Sequence, residues 1–260
     1  SRQGARDWDL FAETAEGYEG KGTWELYGVR VLFYNGELID YTVVGKVGWI
    51  DTKTKNMKIE GDVRTTSQNG YQFFSRIVEY QSAKRLLLSP EKVKMIAPPE
   101  GKETGMVVLG NEMETDIEQN IMKISKDVSA TKMLSNGKNF TIKSNSASFS
   151  GNSKKVSFFE RVLIQVDSLR LEGPEAQFEY STEAKFLNSL LVKGGVKVSD
   201  IDKYATADQV RFEVNENRFV FNGKPRIVQN NDEITGDKII FLNGGKRIKV
   251  ENIKARVDGK

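Results

Sequence analysis

Two groups of carboxylates are the first place to look for chemistry: Asp51 with Glu60 and Asp62, and Asp232 with Glu233 and Asp237. Neighbouring carboxylates can divide acid and base roles or hold a cation. Here both groups fall beside turn signals or on the outward parity of alternating stretches, where carboxylates keep a surface hydrated. Serine and threonine are frequent, but the chain has no histidine and no cysteine. No hydroxyl therefore has an evident activating base, and the commonest metal ligand and all thiol chemistry are missing. Asn243-Gly244-Gly245-Lys246 has the ingredients of a phosphate loop without its spacing or its following helix, and reads as a turn. Basic residues gather at Lys53, Lys55 and Lys58, at Lys84 and Arg85, at Lys154 and Lys155, and at Lys246, Arg247 and Lys249. On strand ends and turns such residues mostly guard exposed backbone. The sequence reads as a non-enzyme, with no catalytic residue, no metal site and no cofactor.

Charge narrows the partners. The formal net charge over 260 residues is +3, which does not announce a nucleic acid. No run is long and apolar enough to span a bilayer. The chain opens SRQGARDW without methionine and reads as a fragment or processed form whose targeting segment is missing.

The elements that would position any site are strands. Apolar residues fall on alternate positions at Leu190, Val192, Val196 and Val198, at Val210, Phe212 and Val214, at Phe219 and Phe221, and at Ile239 and Phe241. A period of two means a strand with one face buried. The breaks at Glu216-Asn217, Asn222-Gly223 and Asn230-Asn231-Asp232 are turn chemistry, as are Asn69-Gly70 and Asn136-Gly137. Asn35-Gly36 should close a hairpin by supplying positive φ, and Ala97-Pro98-Pro99-Glu100-Gly101 is a proline-rich loop. At the N-terminus Trp8, Leu10 and Ala12 alternate, and a short helix over 10–16 is the competing reading.

The pattern repeats. Gly45, Gly110, Gly173 and Gly236 each begin a short strand in the alternating pattern, at spacings of 65, 63 and 63 residues. Between them Met57, Ile59 and Val63 match Met122, Ile124 and Val128, and then Leu190, Val192 and Val196. Val78 and Tyr80 match Ala147 and Phe149, and Val210 and Phe212. Leu87 matches Val156 and Phe219, while Val93 and Met95 match Val162 and Ile164. Lys126 stands where the aligned copies carry Gly61 and Gly194. Repeats of about 65 residues, each several strands long, point to a stacked β array. The small, polar stretch 144–155 marks a candidate joint between two halves.

Three strands carry a family resemblance: Gly195-Val196-Lys197-Val198, the run from Tyr204 to Phe212 (YATADQVRF), and Gly236-Asp237-Lys238-Ile239-Ile240-Phe241. In this order they resemble the repeat of the LptC, LptA and OstA-like lipopolysaccharide transport proteins, which form a periplasmic bridge. The opening from Trp8 through Tyr34 resembles the start of an LptC periplasmic domain, so the chain looks like a tandem of the two kinds. The resemblance implies an all-β fold, an elongated V-shaped jelly roll of about sixteen or more short antiparallel strands. Residues 1–135 would form an LptC-like jelly roll, and residues 136–260 an LptA/OstA-like one continuing the same sheet.

The implied function is a non-enzymatic lipopolysaccharide carrier between inner and outer membrane, with acyl chains in an apolar groove. The inward parity nominates Ile59, Val78, Tyr80, Leu87, Ile124, Phe149, Val156, Val192, Val210, Phe212, Phe219 and Phe241 as that groove. The implied partners are lipopolysaccharide and other Lpt jelly-roll proteins joined edge to edge by strand pairing, with head-to-tail self-association also open and no nucleic acid. The implied location is the periplasm, tethered to the inner membrane by an N-terminal anchor absent from this chain. Periodicity alone leaves another class open: a structural or adhesive β-solenoid with a packed core, binding protein or polysaccharide through outward aromatics such as Tyr27, Tyr41 and Tyr71.

Overall fold

A computed structural model describes residues 6–17, 20, 22–99, 105–133, 137, 139–151, 155–180, 187–242 and 247–256. The fold is all-β and antiparallel, with 22 strands among the described residues and one 3-10 turn at Ser82–Lys84. No helix among the described residues is long and apolar enough to cross a membrane. The chain divides into two compact units, Ser1–Pro99 with Thr104–Val128 and Ser150–Asn152, and Glu100–Glu103 with Ser129–Phe149 and Ser153–Lys260.

The first unit contains β1 (Trp8–Phe11), β2 (Thr14–Gly17), β3 (Thr23–Asn35), β4 (Leu38–Asp51), β5 (Met57–Ser67), β6 (Gln72–Gln81), β7 (Leu86–Ser89), β8 (Val93–Ile96), β9 (Val107–Gly110), β10 (Glu112–Asp116) and the start of β11 (Ile121–Met133). The N-terminal segment is thus strand, not helix: Trp8 pairs with Phe33 and Thr14 with Tyr27. The hairpin between β3 and β4 does form, but its loop residues are Gly36 and Glu37, because Asn35 pairs with Leu38 and Gly36 takes φ +65°.

The long strands bend in mid-course, and the bend explains the repeat. In β5 the pairing with both neighbours skips Gly61 and Asp62, at φ +84° and +49°. Two consecutive left-handed residues form a bulge that turns the strand and restores its alternation beyond. Ile59 and Val63 therefore both face inward, on opposite sides of the bend. Lys126 and Asp127 in β11 adopt the same pair of conformations at φ +62° and +57°. The match of Lys126 to Gly61 and Gly194 is thus a match of backbone geometry.

The repeat glycines do not open strands. Gly45 and Gly173 lie inside strands and Gly110 ends one, while Gly236 falls just outside a strand. They keep the bend thin: a β-carbon would stand 2.4 Å from Ile59 Cγ2 at Gly45 and 2.3 Å from Ile124 Cγ2 at Gly110.

Bending makes two arms. On one arm of the first unit an inward row crosses Ile50, Met57, Tyr80, Leu87, Thr115 and Met122. On the other it crosses Leu10, Val31, Val43, Thr65, Phe73, Met95 and Val108. Phe33 of the second arm packs on Tyr80 of the first with ring centroids 4.7 Å apart.

The second unit repeats the plan with the end of β11, β12 (Asn139–Ser150), β13 (Lys155–Val166), β14 (Leu169–Tyr180), β15 (Leu187–Ser199), β16 (Lys203–Glu213), β17 (Arg218–Asn222), β18 (Arg226–Gln229), β19 (Asp232–Thr235), β20 (Lys238–Leu242), β21 (Arg247–Glu251) and β22 (Lys254–Arg256). Its bends fall at Glu160-Arg161 and Gly194-Gly195, all with positive φ, where the registers of β13 and β15 shift. Asn230 and Asn231 form a two-residue loop with φ +50° and +73°, the left-handed pair such a loop requires. Among the described residues, blocks of short strands of three to five residues thus alternate with blocks of bent strands of ten to fourteen. The polar stretch from Ser144 to Ser150 is regular strand in β12, with Ser144, Ala147 and Phe149 buried. The turn at 243–246 lies outside the described residues.

Candidate functional site

Register assembles one apolar face from strands far apart in sequence. In the second unit Val156 pairs with Phe178, Phe178 with Leu190, Leu190 with Phe212, Phe212 with Phe219, Phe219 with Phe241, and Phe241 with Ile248. A parallel row nearer the bend runs through Phe158, Ala176, Val192, Val210, Phe221, Ile239 and Val250. Exposure rises along the first row: Val156, Phe178 and Leu190 are buried, Phe212, Phe219 and Phe241 half-buried, and Ile248 exposed at 47%. Phe212 and Phe219 stack at 4.3 Å between ring centroids.

Between the arms of this unit a cleft of about 260 Å³ remains. Phe219, Phe221 and Phe241 line it from one arm, and Leu169, Val198, Ala205 and Ile227 from the other. Ser199, Asp200, Lys203 and Tyr204 form its polar rim. The Asp200 carboxylate accepts hydrogen bonds from the Ser168 hydroxyl at 2.7 Å and the Ile201 N–H at 2.9 Å, and these bonds hold it below the usual carboxylate range. An apolar cavity with a few polar groups at its mouth is the usual form of a site for an apolar or amphiphilic ligand.

Nine of the twelve residues nominated from parity are buried: Ile59, Val78, Tyr80, Leu87, Ile124, Phe149, Val156, Val192 and Val210. Phe219 and Phe241 reach the cleft and Phe212 stacks beside it. Leu169, Val198, Ala205 and Ile227, which close the cleft, were not nominated. Their signal was the same alternation read on the far side of each bend, where Val198 and Ala205 pair directly.

The carboxylate groups are dispersed into separate local roles. Asp51 accepts the N–H groups of Thr54 at 2.9 Å and Lys53 at 2.8 Å, which lower its pKa. Glu60 pairs with Lys58 and Asp62 with Lys46. Glu233 pairs with Arg226 at 2.8 Å, and Asp237 accepts from Asn252 at 2.5 Å. No group of three or more acidic side chains among the described residues could hold a metal ion. The outward assignment of Tyr41 is corrected. It is 2% exposed and its hydroxyl donates to Asn120 Oδ1 at 2.7 Å. Its side chain turns inward because Asp40 is an extra residue where the pairing of β3 with β4 shifts. Tyr27 and Tyr71 are half-buried.

Residues 1–133 match the family described as lipopolysaccharide-assembly, LptC-related. Residues 141–243 match the LptA/(LptD N-terminal domain) LPS transport protein family. Among solved structures the chain is similar to LptH, the LptA homologous periplasmic component of the lipopolysaccharide transport device of Pseudomonas aeruginosa. The identity is 13%, the TM-score 0.42, and the alignment covers 46% of this chain and 95% of that one. No curated protein matches the sequence.

Proposed function

The chain belongs to the LptC-related lipopolysaccharide-assembly family, and we propose that it is a non-enzymatic carrier that holds lipopolysaccharide by its acyl chains between the arms of its jelly rolls. The observation that carries this reading is the cleft between Phe219 and Phe241 on one arm and Leu169 and Ile227 on the other. Each CH₂ taken from water contributes about 0.8 kcal/mol, so an acyl chain can be held by apolar contact without any bond to a particular atom. Such binding retains a lipid and still lets it slide to the next apolar surface. The sugars and phosphates stay at the polar rim.

As a segment of a bridge the protein works in the periplasm and hands lipid to similar jelly rolls. The strand edges at β1 and β2 and at β21 and β22 suit such contacts, because an edge strand presents unpaired backbone groups to a second sheet. A contact joining unlike edges propagates head to tail instead of closing. Removal of 247–256 should abolish concentration-dependent association while leaving the fold of the remaining chain. Unchanged association would remove that edge from the account.

Photo-crosslinking tests the carrier itself. A photoreactive side chain at Phe219 or Phe241 should capture lipopolysaccharide, while one at Arg211, on the opposite parity, should not. Equal capture at both kinds of position, or none at either, would return the question to the surface-binding β-solenoid.

A further inference from the structure

Opposite its bend each unit has a mouth where its two arms end, and in the first unit polar bonds cross it at two points among the described residues. Arg85 follows the 3-10 turn in a left-handed conformation, its N–H donating to Ser82 O at 3.2 Å and its carbonyl accepting from Ile117 N at 3.1 Å. From this fixed point its guanidinium reaches the other arm, donating from Nη1 to Asp7 Oδ1 and from Nη2 to the Tyr34 carbonyl, both at 2.5 Å. Asp7 is itself held at the end of that arm, its carbonyl accepting from Tyr34 N at 3.0 Å. The Tyr41–Asn120 bond is the second crossing. Directly behind lie Phe33, Tyr80 and Leu87, all at most 2% exposed.

The second unit is arranged differently. Polar groups at its mouth bond within one arm, Ser168 to Asp200, Gln229 to Asp202, and Arg218 to Glu213. There the apolar cleft stays open.

We infer that the Arg85–Asp7 pair is a strap closing the apolar interior of the first unit, and that the anionic group of an amphiphile opens it by taking the place of Asp7 on Arg85. A guanidinium fork matches a carboxylate and a phosphate equally well. The Asp7 side chain is 39% exposed, so its release into water costs little, whereas the Arg85 backbone stays anchored. β1, which Asp7 leads into, is four residues long and pairs with β3; a short terminal element of this kind opens more readily than the core. An uncharged chain offers Arg85 no replacement and meets a closed mouth. The inference rests on the lipid-carrier reading and adds the order of events: charge is recognised before the chain is admitted.

The test uses the full chain carrying a photoreactive phenylalanine at Tyr80, with Phe33 as a second reporter position. The probes are an alkyl phosphate and the alcohol of the same length, with inorganic phosphate as competitor. The parent protein should capture the alkyl phosphate in preference to the alcohol, and inorganic phosphate should not admit the alcohol. Asp7→Asn, which removes the opposite charge from Arg85, should raise capture of both probes by roughly two- to fivefold, the range of an exposed ion pair. Arg85→Gln should raise capture of the alcohol and remove the preference for phosphate. Parent-level capture in Asp7→Asn, a phosphate preference that survives Arg85→Gln, or admission of the alcohol by inorganic phosphate would each overturn the strap. A reporter at Phe219 separates the two readings. Capture there with none at Tyr80 or Phe33 in any variant sinks the strap alone, and no capture anywhere sinks the carrier.

Discussion

Gly45 lies directly beneath Ile59, with room for no further carbon: an added β-carbon would stand 2.4 Å from Ile59 Cγ2. The same contact recurs between Gly110 and Ile124, and between Gly173 and Val192 at 2.8 Å. Each of these glycines is pressed against a β-branched residue of a neighbouring strand at the point where the two arms diverge.

The first prediction follows from that contact. Gly45→Ala should destabilise the protein by about 1–3 kcal/mol, the usual cost of overpacking. Ile59→Ala should cost about 2–5 kcal/mol by leaving a cavity. The double variant should be more stable than the sum of the two by at least about 1 kcal/mol, because each change relieves the other. Thermal unfolding of the four proteins measures this, and strict additivity would show that the two residues do not press on one another.

A second prediction concerns the middle repeat, where the bend is built without glycine. Lys126 holds φ +62° and pairs with Glu112. A left-handed non-glycine residue costs on the order of 1 kcal/mol or more, and an exposed ion pair returns at most about 1 kcal/mol. Lys126→Gly should therefore leave stability unchanged or raise it by up to about 1 kcal/mol. Gly61→Lys should lower it, because Lys46 Cβ already lies 3.0 Å from the β-carbon position. A clear loss of stability in Lys126→Gly would mean that the ion pair outweighs the backbone.

The third concerns pH. Burial, and then the negative charges of Asp40 and Asp116, push the Tyr41 hydroxyl well above its ordinary range. The folded pKa lies above the unfolded one, so the contribution of Tyr41 is fully present below the unfolded value of about 10 and is lost as pH rises past it. Tyr41→Phe should flatten the fall in melting temperature above about pH 10. At neutral pH the same change removes the bond to Asn120, at a cost of about 0.5–1.5 kcal/mol. An unchanged alkaline slope would assign the fall to other groups.

The inward parity and the repeat were legible in the sequence because alternation depends only on neighbouring residues. Ile59, Ile124 and Val192 align in sequence and face inward alike in the structure. The bends were half-legible. Gly194-Gly195 announces a left-handed pair, whereas Glu160-Arg161, with φ +61° and +52°, gives no such sign. What closes the mouth was not legible at all. Arg85 meets Asp7 and Tyr34, and Tyr41 meets Asn120, across separations of 78, 51 and 79 residues, and no local pattern encodes such a meeting. Nor does parity tell Phe221 from Phe219. Both face inward, and only the distance of each from the bend leaves one covered and the other half-bare.

That difference yields the last prediction. Phe221 is 3% exposed, in contact with Phe241 at 5.3 Å, and belongs to the row nearer the bend. Phe219, two residues on the mouth side, also lines the cleft but is only half-buried. Phe221→Ala should cost about 3–5 kcal/mol, as for a fully packed phenylalanine, and lower the melting temperature accordingly. Phe219→Ala should cost less, because part of its surface already meets water in the folded state. Lipid capture by a photoreactive residue at Phe241 should follow the residue at position 219 among variants that stay folded: Phe219→Asp should reduce capture strongly and Phe219→Ala mildly. A carboxylate in the cleft is costly to bury and repels lipid phosphates at the rim. Capture that tracked melting temperature, and not the residue at position 219, would mean that lipid reads the stability of this unit and not its cleft.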